Sequence, residues 1–417
     1  MADLIQIEEV KERVILVGVA TSDNDDTERS LEELAELVDT AGAESLDRMI
    51  QNRERVHPGT YVGKGKIEEI KERVWELDAT GVVCDDELSP AQLKNLEHEL
   101  GTKVMDRTMI ILDIFAKHAS SSEGKIQVEL AQLKYSAARL VGLRSSLSRL
   151  GGGIGTRGPG EKKIEMDRRL IHDRIGLLKA ELSQVKKHRE IARQARERSN
   201  AFVAAIVGYT NAGKSTLLNT LTQASILAED KLFATLDPTT RKLALPSGQE
   251  ILLTDTVGFI RKLPHHLIEA FQSTLEEAKY ADLIIHLVDA SNPEADTQML
   301  VVYDTLKKLE ALGKEVITVY NKTDLLKEGD EMPRDFHADY TMRLSAKTGE
   351  GIEEFKELLE KILRNRKVYI EKIFDYKDAG KIQLIRKYGE LLSEEYLGEG
   401  IAVKAYVPSE VVEKVYR

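Results

Sequence analysis

The chain has 417 residues, 42% apolar and 31% charged, with one cysteine, nine histidines and a formal net charge of −11. That length allows about three domains, a single thiol excludes an intramolecular disulfide and suits a reducing compartment, and the acidic balance argues against indiscriminate nucleic-acid binding. The longest apolar runs, such as 283–288, fall far short of the ~20 residues that cross a bilayer, and Met1-Ala2-Asp3 opens no basic-then-apolar leader. The expected setting is the cytoplasm, with partial association at a membrane left open.

Residues 1–122 alternate β-like runs, Val14–Ala20, Thr80–Cys84 and Thr102–Met105, with helical ones, Ser30–Ala41, Ile67–Leu77 and Pro90–Leu100. That order predicts a small parallel α/β sheet. Cys84 lies in an apolar strand run and reads as a core residue rather than a nucleophile. Gly63-Lys64-Gly65-Lys66 lacks the spacing of a phosphate loop and reads as a turn opening a basic-edged helix.

Residues 123–199 carry the clearest periodicity. Ile126, Leu130, Leu133, Ala137 and Leu140 recur at 4-3-4-3 spacing, and Ile171, Ile175, Leu178, Leu182 and Val185 do the same. Two such stripes predict a pair of long antiparallel helices packed along a coiled-coil seam. Between them, 150–160 holds six glycines and a proline, too costly inside a helix. From Lys134 to Arg198 there are 17 Lys and Arg against 7 Asp and Glu, a local excess of positive charge in an acidic chain. Glycines let backbone approach a polyanion closely while basic side chains meet phosphates. The tip, with Arg144, Arg149, Arg157, Lys162 and Lys163 around it, is therefore expected to contact RNA.

The apolar run Val203 to Val207 leads straight into Gly208-Tyr209-Thr210-Asn211-Ala212-Gly213-Lys214-Ser215, and a helix-forming stretch follows from Thr216 to Gln223. This is a G-x-x-x-x-G-K-S phosphate loop. Gly208 and Gly213 allow the tight fold that aims consecutive N–H groups at a polyphosphate, Lys214 supplies a charge between β- and γ-phosphates, and the Ser215 hydroxyl ligates Mg²⁺. The next helix points its positive end at the same anion. Asp255-Thr256-Val257-Gly258 ends the run 250–253; its Asp holds a Mg²⁺ water and its Gly N–H meets the γ-phosphate. Val316 to Tyr320 lead into Asn321-Lys322-Thr323-Asp324, where Asp324 accepts from the N1–H and 2-amino group of guanine. Adenine offers neither donor, and such a mismatch discriminates strongly. Ser345-Ala346-Lys347 supplies an N–H to the guanine carbonyl. Each tetrapeptide is common alone; four in this order, each after a strand-like run, predict a domain that binds GTP and GDP over 200–365, with helices at Thr297–Leu312 and Ile352–Leu363. The tail, 366–417, offers strands Val368–Phe374 and Ile401–Tyr406 around a helix Gly380–Leu392. The expected fold class is thus α/β multidomain: a P-loop G domain, an N-terminal small parallel α/β domain with a long antiparallel helical hairpin, and a small C-terminal α/β appendage.

The phosphate loop, the run Phe233-Ala234-Thr235-Leu236-Asp237-Pro238-Thr239-Thr240-Arg241, the loop from Leu150 to Lys163 running into Asp167-Arg168-Arg169, and Val62-Gly63-Lys64-Gly65-Lys66 together resemble the HflX family, a branch of translational GTPases near the Obg group. The likeness covers nearly the whole chain to residue 365 and is less diagnostic in the tail. It implies a ribosome-associated GTPase, expected as a monomer, that binds the large ribosomal subunit and dissociates stalled or hibernating ribosomes. The hairpin tip would face rRNA near the peptidyl transferase centre. The resemblance also implies Thr235, beside Phe233, as the mobile threonine that joins Ser215 on Mg²⁺ and meets the γ-phosphate, with Thr239 and Thr240 as neighbouring competitors.

Phe259 follows Gly258, where a Ras-like GTPase carries the glutamine that orients the attacking water, and phenylalanine can make no such bond. Arg241 and Arg261 are the arginines near enough in sequence to be asked about in its place. Lys214, Thr235 and Gly258 are left as the catalytic set, with slow intrinsic hydrolysis and a partner that accelerates it. Asn211 resembles the asparagine of GTPases that bind K⁺ beside the phosphates; the plain alternative is an asparagine that only bonds backbone. Two other functions compete: a nucleotide-gated RNA-binding scaffold with little turnover, which Phe259 permits, and an ATP-driven RNA remodeller, which Asp324 disfavours.

Overall fold

A computed structural model describes residues 11–21, 26–147, 159–198, 201–222, 232–233, 238–264, 267, 272–327 and 332–416, with side chains left out for 140–165, 192–200, 271–275, 379, 409–410 and 413–414. The chain divides into two compact units. One comprises Met1–Arg189 with Leu227–Asp237 and Val257–Glu276; the other comprises Glu190–Ile226, Pro238–Thr256 and Glu277–Arg417.

In the first unit, β1 (Arg13–Ala20), β2 (Glu44–Asn52), β3 (Gly81–Cys84) and β4 (Lys103–Asp106) make an all-parallel sheet in the order β2-β1-β3-β4. Parallel pairing needs crossovers, and α1 (Thr27–Ala41), α2 (Lys64–Glu76) and α3 (Pro90–Leu100) supply them. β1 sits inside the sheet and is buried from Val14 to Val19, as a strand covered on both faces requires. β2 escaped the sequence reading because it is a half-exposed edge of mostly polar residues. The start of α3 is written locally: the Ser89 hydroxyl accepts from the Gln92 N–H at 3.2 Å, the Gln92 side chain accepts from the Ser89 N–H at 2.9 Å, and Pro90 opens the helix. Gly63 is the residue before α2, as expected of a turn opening a helix.

α4 (Arg107–His118) leads into the hairpin, α5 (Ser122–Leu147) and α6 (Pro159–Arg198). Leu130, Ile175 and Leu178 form its buried seam, with Ile126, Leu133, Ala137, Ile171 and Leu182 packed against it. The pairs Glu129–Arg174, bonded twice at 2.7 and 3.0 Å, and Glu123–Arg189 bind the helices in antiparallel register. The expected loop is shorter than its composition suggested, because α6 already begins at Pro159. Proline suits a helix's first position, where its missing N–H costs nothing, so Gly160, Lys162 and Lys163 are helical.

Asp106 ties the hairpin to the sheet. It ends β4, caps α4 by accepting from Met109 N–H at 2.9 Å, accepts from Leu88 N–H at 3.0 Å, and receives Tyr135 Oη at 2.5 Å and Arg139 at 2.6 Å from α5. It is fully buried.

In the second unit, β5 (Val203–Gly208), β6 (Thr239–Ala244), β7 (Glu250–Asp255), β8 (Leu283–Asp289), β9 (Glu315–Asn321) and β10 (Tyr340–Arg343) form one sheet in the order β10-β9-β8-β5-β7-β6. All pairs are parallel except β6 with β7. The helices are α7 (Lys214–Thr222), α8 (Gln272–Tyr280), α9 (Ala295–Lys308) and α10 (Ile352–Asn365). Thr239 and Thr240, named in sequence as competitors of Thr235, and Arg241 belong to the edge strand β6, and Thr240 Oγ1 bonds Thr254 Oγ1 at 3.0 Å.

The tail folds as β11 (Lys367–Phe374), α11 (Ala379–Tyr388), β12 (Glu390–Leu397), β13 (Gly400–Pro408) and α12 (Ser409–Tyr416), with the antiparallel sheet ordered β11-β13-β12. The helix expected to reach Leu392 stops at Tyr388. A Cβ on Gly389 would lie 2.7 Å from the Tyr406 carbonyl oxygen, so glycine lets the chain turn there into β12. Among the described residues no helix is long and apolar enough to cross a membrane.

Replacing Asp106 with alanine strips partners from a part-buried arginine, a tyrosine and two backbone donors at once. Denaturant unfolding should register a loss of about 3–5 kcal/mol, the cost of breaking a buried ion pair; a loss under about 1 kcal/mol, the scale of an exposed pair, would remove Asp106 as the hub.

Candidate nucleotide site

Parallel strands end together. Register pairs Gly208 with Leu287, Ile206 with Asp255, and Asp289 with Asn321, so β5, β7, β8 and β9 present their carboxyl ends along one edge. β5 lies where the strand order reverses, the position at which open α/β sheets bind ligands. The residues from Gly208 to Ser215 turn there from β5 into α7. Two glycines are required by space as well as by conformation: a Cβ on Gly208 would meet the Leu287 carbonyl oxygen at 2.3 Å, and one on Gly213, at φ +95°, would meet Asn321 Nδ2 at 2.4 Å. Asn211 holds φ 60°, a left-handed value that asparagine tolerates, and its side chain is exposed. Tyr209, Thr210 and Ala212 are buried beneath the loop, and Thr216 is half-buried in α7.

Lys214 is buried, its ammonium donating to the carbonyls of Tyr209 at 2.8 Å and Gly208 at 3.3 Å. Burial brings its pKa down to about 8, with Asp255 opposing. Ser215 Oγ donates to Asp255 Oδ2 at 2.8 Å. Burial pushes the Asp255 carboxyl up, opposed by Lys214 and the Ser215 bond. Asp255 Oδ1 is buried with no partner among the described residues. An orphaned carboxylate oxygen beside a hydroxyl is an all-oxygen donor set, which suits a hard divalent cation better than a soft one. Thr256, silent in the sequence reading, ties this corner down by donating from Oγ1 to the Ile206 carbonyl at 2.8 Å.

The Asn321–Asp324 and Ser345–Lys347 motifs also converge, with a difference in contacts that sequence did not reveal. The Asn321 amide donates to the Ala212 carbonyl at 2.8 Å and accepts from the Ala346 N–H at 2.9 Å, so it braces the phosphate loop against Ser345-Ala346-Lys347. Asp324 Oδ1 accepts from Ser345 Oγ at 2.6 Å, which fixes the carboxylate through one oxygen. Lys322 stands at φ 62° with its ammonium 2.7 Å from Asp289. Asp289 was missed, although an Asp closing an apolar strand run is the available signal. Lys347 is exposed.

The remaining site candidates, Arg241 apart, belong to the first unit. Phe233 is buried at φ 57°, its ring edge-on to Phe115 of α4 at 4.7 Å. A bulky residue in the left-handed region stores backbone strain. Thr235 lies outside the described residues, as do Arg149, Arg157 and the histidines at 265 and 266; Arg144, Lys162 and Lys163 are placed by backbone alone. Gly258 precedes Phe259, which is 1% exposed. Arg261 donates to Asp26 at 2.8 Å, while Lys262, at φ 53°, pairs with Asp85 and, at 2.8 Å, with Asp86. Arg241 is exposed on β6 and bonds the Thr240 carbonyl at 3.2 Å. Cys84 is buried in β3, and burial raises its thiol pKa, as a core cysteine requires.

Family models match the chain in three stretches: GTP-binding GTPase N-terminal over residues 28–116, GTP-binding GTPase middle region over 118–196, and 50S ribosome-binding GTPase over 203–322. The chain is 71% identical to a GTPase HflX of Lacrimispora saccharolytica, covering 99% of this chain and 97% of the relative. It is 50% identical to the GTPase HflX of Caldanaerobacter subterraneus subsp. tengcongensis, covering 97% and 93%. With the Escherichia coli GTPase HflX the identity is 44%, covering 84% and 83%. With its phosphate loop, three matching family models and identities of this size along nearly its full length, the chain belongs to the HflX family of GTPases.

Proposed function

We propose that this GTPase binds the large ribosomal subunit in its GTP form, dissociates stalled or hibernating ribosomes, and hydrolyses GTP slowly until the ribosome supplies what its own site lacks. The observation that carries this reading is Phe259: a buried apolar side chain follows Gly258, at the point where a water-orienting amide would act. The rest of the site is built for binding and charge neutralisation. Loop N–H groups and Lys214 hold the phosphates, Asp324 selects guanine, and Gly258 N–H meets the γ-phosphate. Ser215, Asp255 and Thr235 would hold Mg²⁺, which would supply positive charge against the negative charge that develops on the terminal phosphoryl group. The basic excess around 134–198 supports the hairpin tip as the rRNA contact, with Arg144, Arg149, Arg157, Lys162 and Lys163 its candidate residues.

Three outcomes test this reading. GTP turnover by the pure protein should be slow and rise with purified large subunits by on the order of 10³-fold, the scale of a supplied transition-state group. Fast turnover without subunits contradicts the role given to Phe259, and slow turnover unchanged by them favours a nucleotide-gated RNA-binding scaffold. Lys214 generates the second. With its pKa near 8 in the nucleotide-free protein, a bound polyphosphate restores its charge, so binding at pH 8 should take up about half a proton. Calorimetric enthalpies should therefore vary with the ionisation heat of the buffer at pH 8 and much less at pH 6.5; the Lys214→Met variant should lose the difference, and buffer-independent heats at pH 8 contradict it. The third rests on Asn211. If it helps hold K⁺ beside the phosphates, turnover in KCl should exceed turnover in NaCl; equal rates leave Asn211 as a backbone-bonding residue.

A further inference from the structure

The Ser345-Ala346-Lys347 run is held from two directions. From the end of β9, Asn321 Oδ1 accepts from the Ala346 N–H at 2.9 Å and Asp324 Oδ1 accepts from Ser345 Oγ at 2.6 Å. From the other side comes a residue that belongs to none of the sequence motifs. Thr220 Oγ1, in α7, donates to the Ala346 carbonyl at 2.8 Å across 126 positions of sequence. Ala346 is buried, so its carbonyl needs a partner inside the protein. Among the described residues the Thr220 hydroxyl supplies it.

A threonine hydroxyl inside a helix ordinarily bonds back to the carbonyl four residues earlier. Thr222 does that, donating to the Leu218 carbonyl at 2.7 Å. Thr220 has the equivalent acceptor, the Thr216 carbonyl, at 3.0 Å, but one hydroxyl carries one hydrogen and the Ala346 carbonyl is nearer. The sequence explains the reach. Leu217, Leu218 and Leu221 face the core that also holds Leu344, Ala346 and Phe355. At helical spacing position 220 lies on the flank of that stripe, where it is half-buried.

The bond has a directional consequence. A trans peptide is planar, with its C=O and N–H pointing opposite ways. The Ala346 carbonyl and the Lys347 N–H belong to one such unit, so fixing the first aims the second. The Ala346 N–H is already given to Asn321, which leaves the Lys347 N–H as the donor that the run can offer a base. α7 opens with Lys214 and Ser215, so the same helix that carries the phosphate-binding side chains also sets this donor.

We propose that Thr220 is a positioning residue for guanine: by holding the Ala346 carbonyl it aims the Lys347 N–H at the guanine carbonyl oxygen, while touching neither base nor phosphate. The inference rests on the reading that this run meets that carbonyl. Local support of a recognition group decides how well the group performs, and a polar contact made this way discriminates between bases.

The test is equilibrium binding of GDP and of 6-thioguanosine diphosphate to the full nucleotide-free chain. The analogue keeps the N1–H and the 2-amino group that Asp324 would read, and replaces the carbonyl oxygen by a bulkier, weaker acceptor. Wild type should prefer GDP by about tenfold, the scale of one hydrogen bond. Thr220→Val keeps the shape and loses the hydroxyl. It should weaken GDP by about fivefold and the analogue by less than about twofold, so that the preference falls to about twofold. Thr220→Ser restores the hydroxyl and should keep the wild-type preference; if Thr220→Val fails to fold, Thr220→Ala takes its place. A residue that only stabilises α7 would weaken both nucleotides alike or lower thermal stability alone, and either result overturns the proposal. Wild type that binds GDP and the analogue equally removes the reading of the run as the guanine-carbonyl contact, and this inference with it. Wild type that prefers GDP while Thr220→Val keeps the same preference removes this inference alone.

Discussion

Parallel strands share one carboxyl edge, and the nucleotide-binding motifs of this protein gather along such an edge. In the six-stranded sheet, Gly208, Asp255, Asp289 and Asn321 come from stretches up to 113 residues apart in sequence, and register alone brings them level. No contact between their side chains is needed to gather them; the contacts then refine what the ladder has assembled. The Asn321 brace from Ala212 to Ala346 is the clearest case, because one amide joins the phosphate loop to the Ser345-Ala346-Lys347 run.

The four-stranded sheet of the first unit obeys the same rule with different contents. Asp85 follows β3 and Asp106 ends the neighbouring β4, so two carboxylates stand together at the carboxyl edge. Arg107 and Ser30 bind Asp85 from within the domain, and Lys262 reaches it from the segment that follows Gly258. Asp106 takes Tyr135 and Arg139 from the hairpin. Burying a carboxylate costs free energy unless its bonds are filled, and here Ser30, Arg107, Lys262, Tyr135 and Arg139 fill them. Phe233 on Phe115 adds an apolar counterpart. Phe233 and Lys262, the two residues that make these contacts, are both held at positive φ.

Much of this was legible in the sequence, and the failures have physical reasons. Spacing located the phosphate loop, because glycines at 208 and 213 answer two identifiable clashes. Heptad stripes located the hairpin, because a seam needs apolar residues at fixed intervals and nothing else competes for them. β2 was hidden because an edge strand carries polar residues, and β6 because Thr239 to Arg241 had been read through a resemblance rather than through pairing. The tail helix was extended past Gly389 because Glu390 to Leu392 are acceptable in a helix, and only the approach of the Tyr406 carbonyl makes glycine necessary there. Division of labour within the site was out of reach altogether. Sequence placed Asn321 and Asp324 in one motif, but only geometry shows Asn321 bracing Ala212 and Ala346 while Asp324 bonds Ser345.

On the function proposed above, the GTP state is the form that engages the ribosome. Co-sedimentation of the full chain with purified large subunits, compared among nucleotide-free, GDP-bound and non-hydrolysable GTP analogue-bound protein, tests that claim most directly. The account predicts strong retention with the GTP analogue and little with GDP. Equal retention in all three states would contradict it, because the nucleotide site would then have no say in binding.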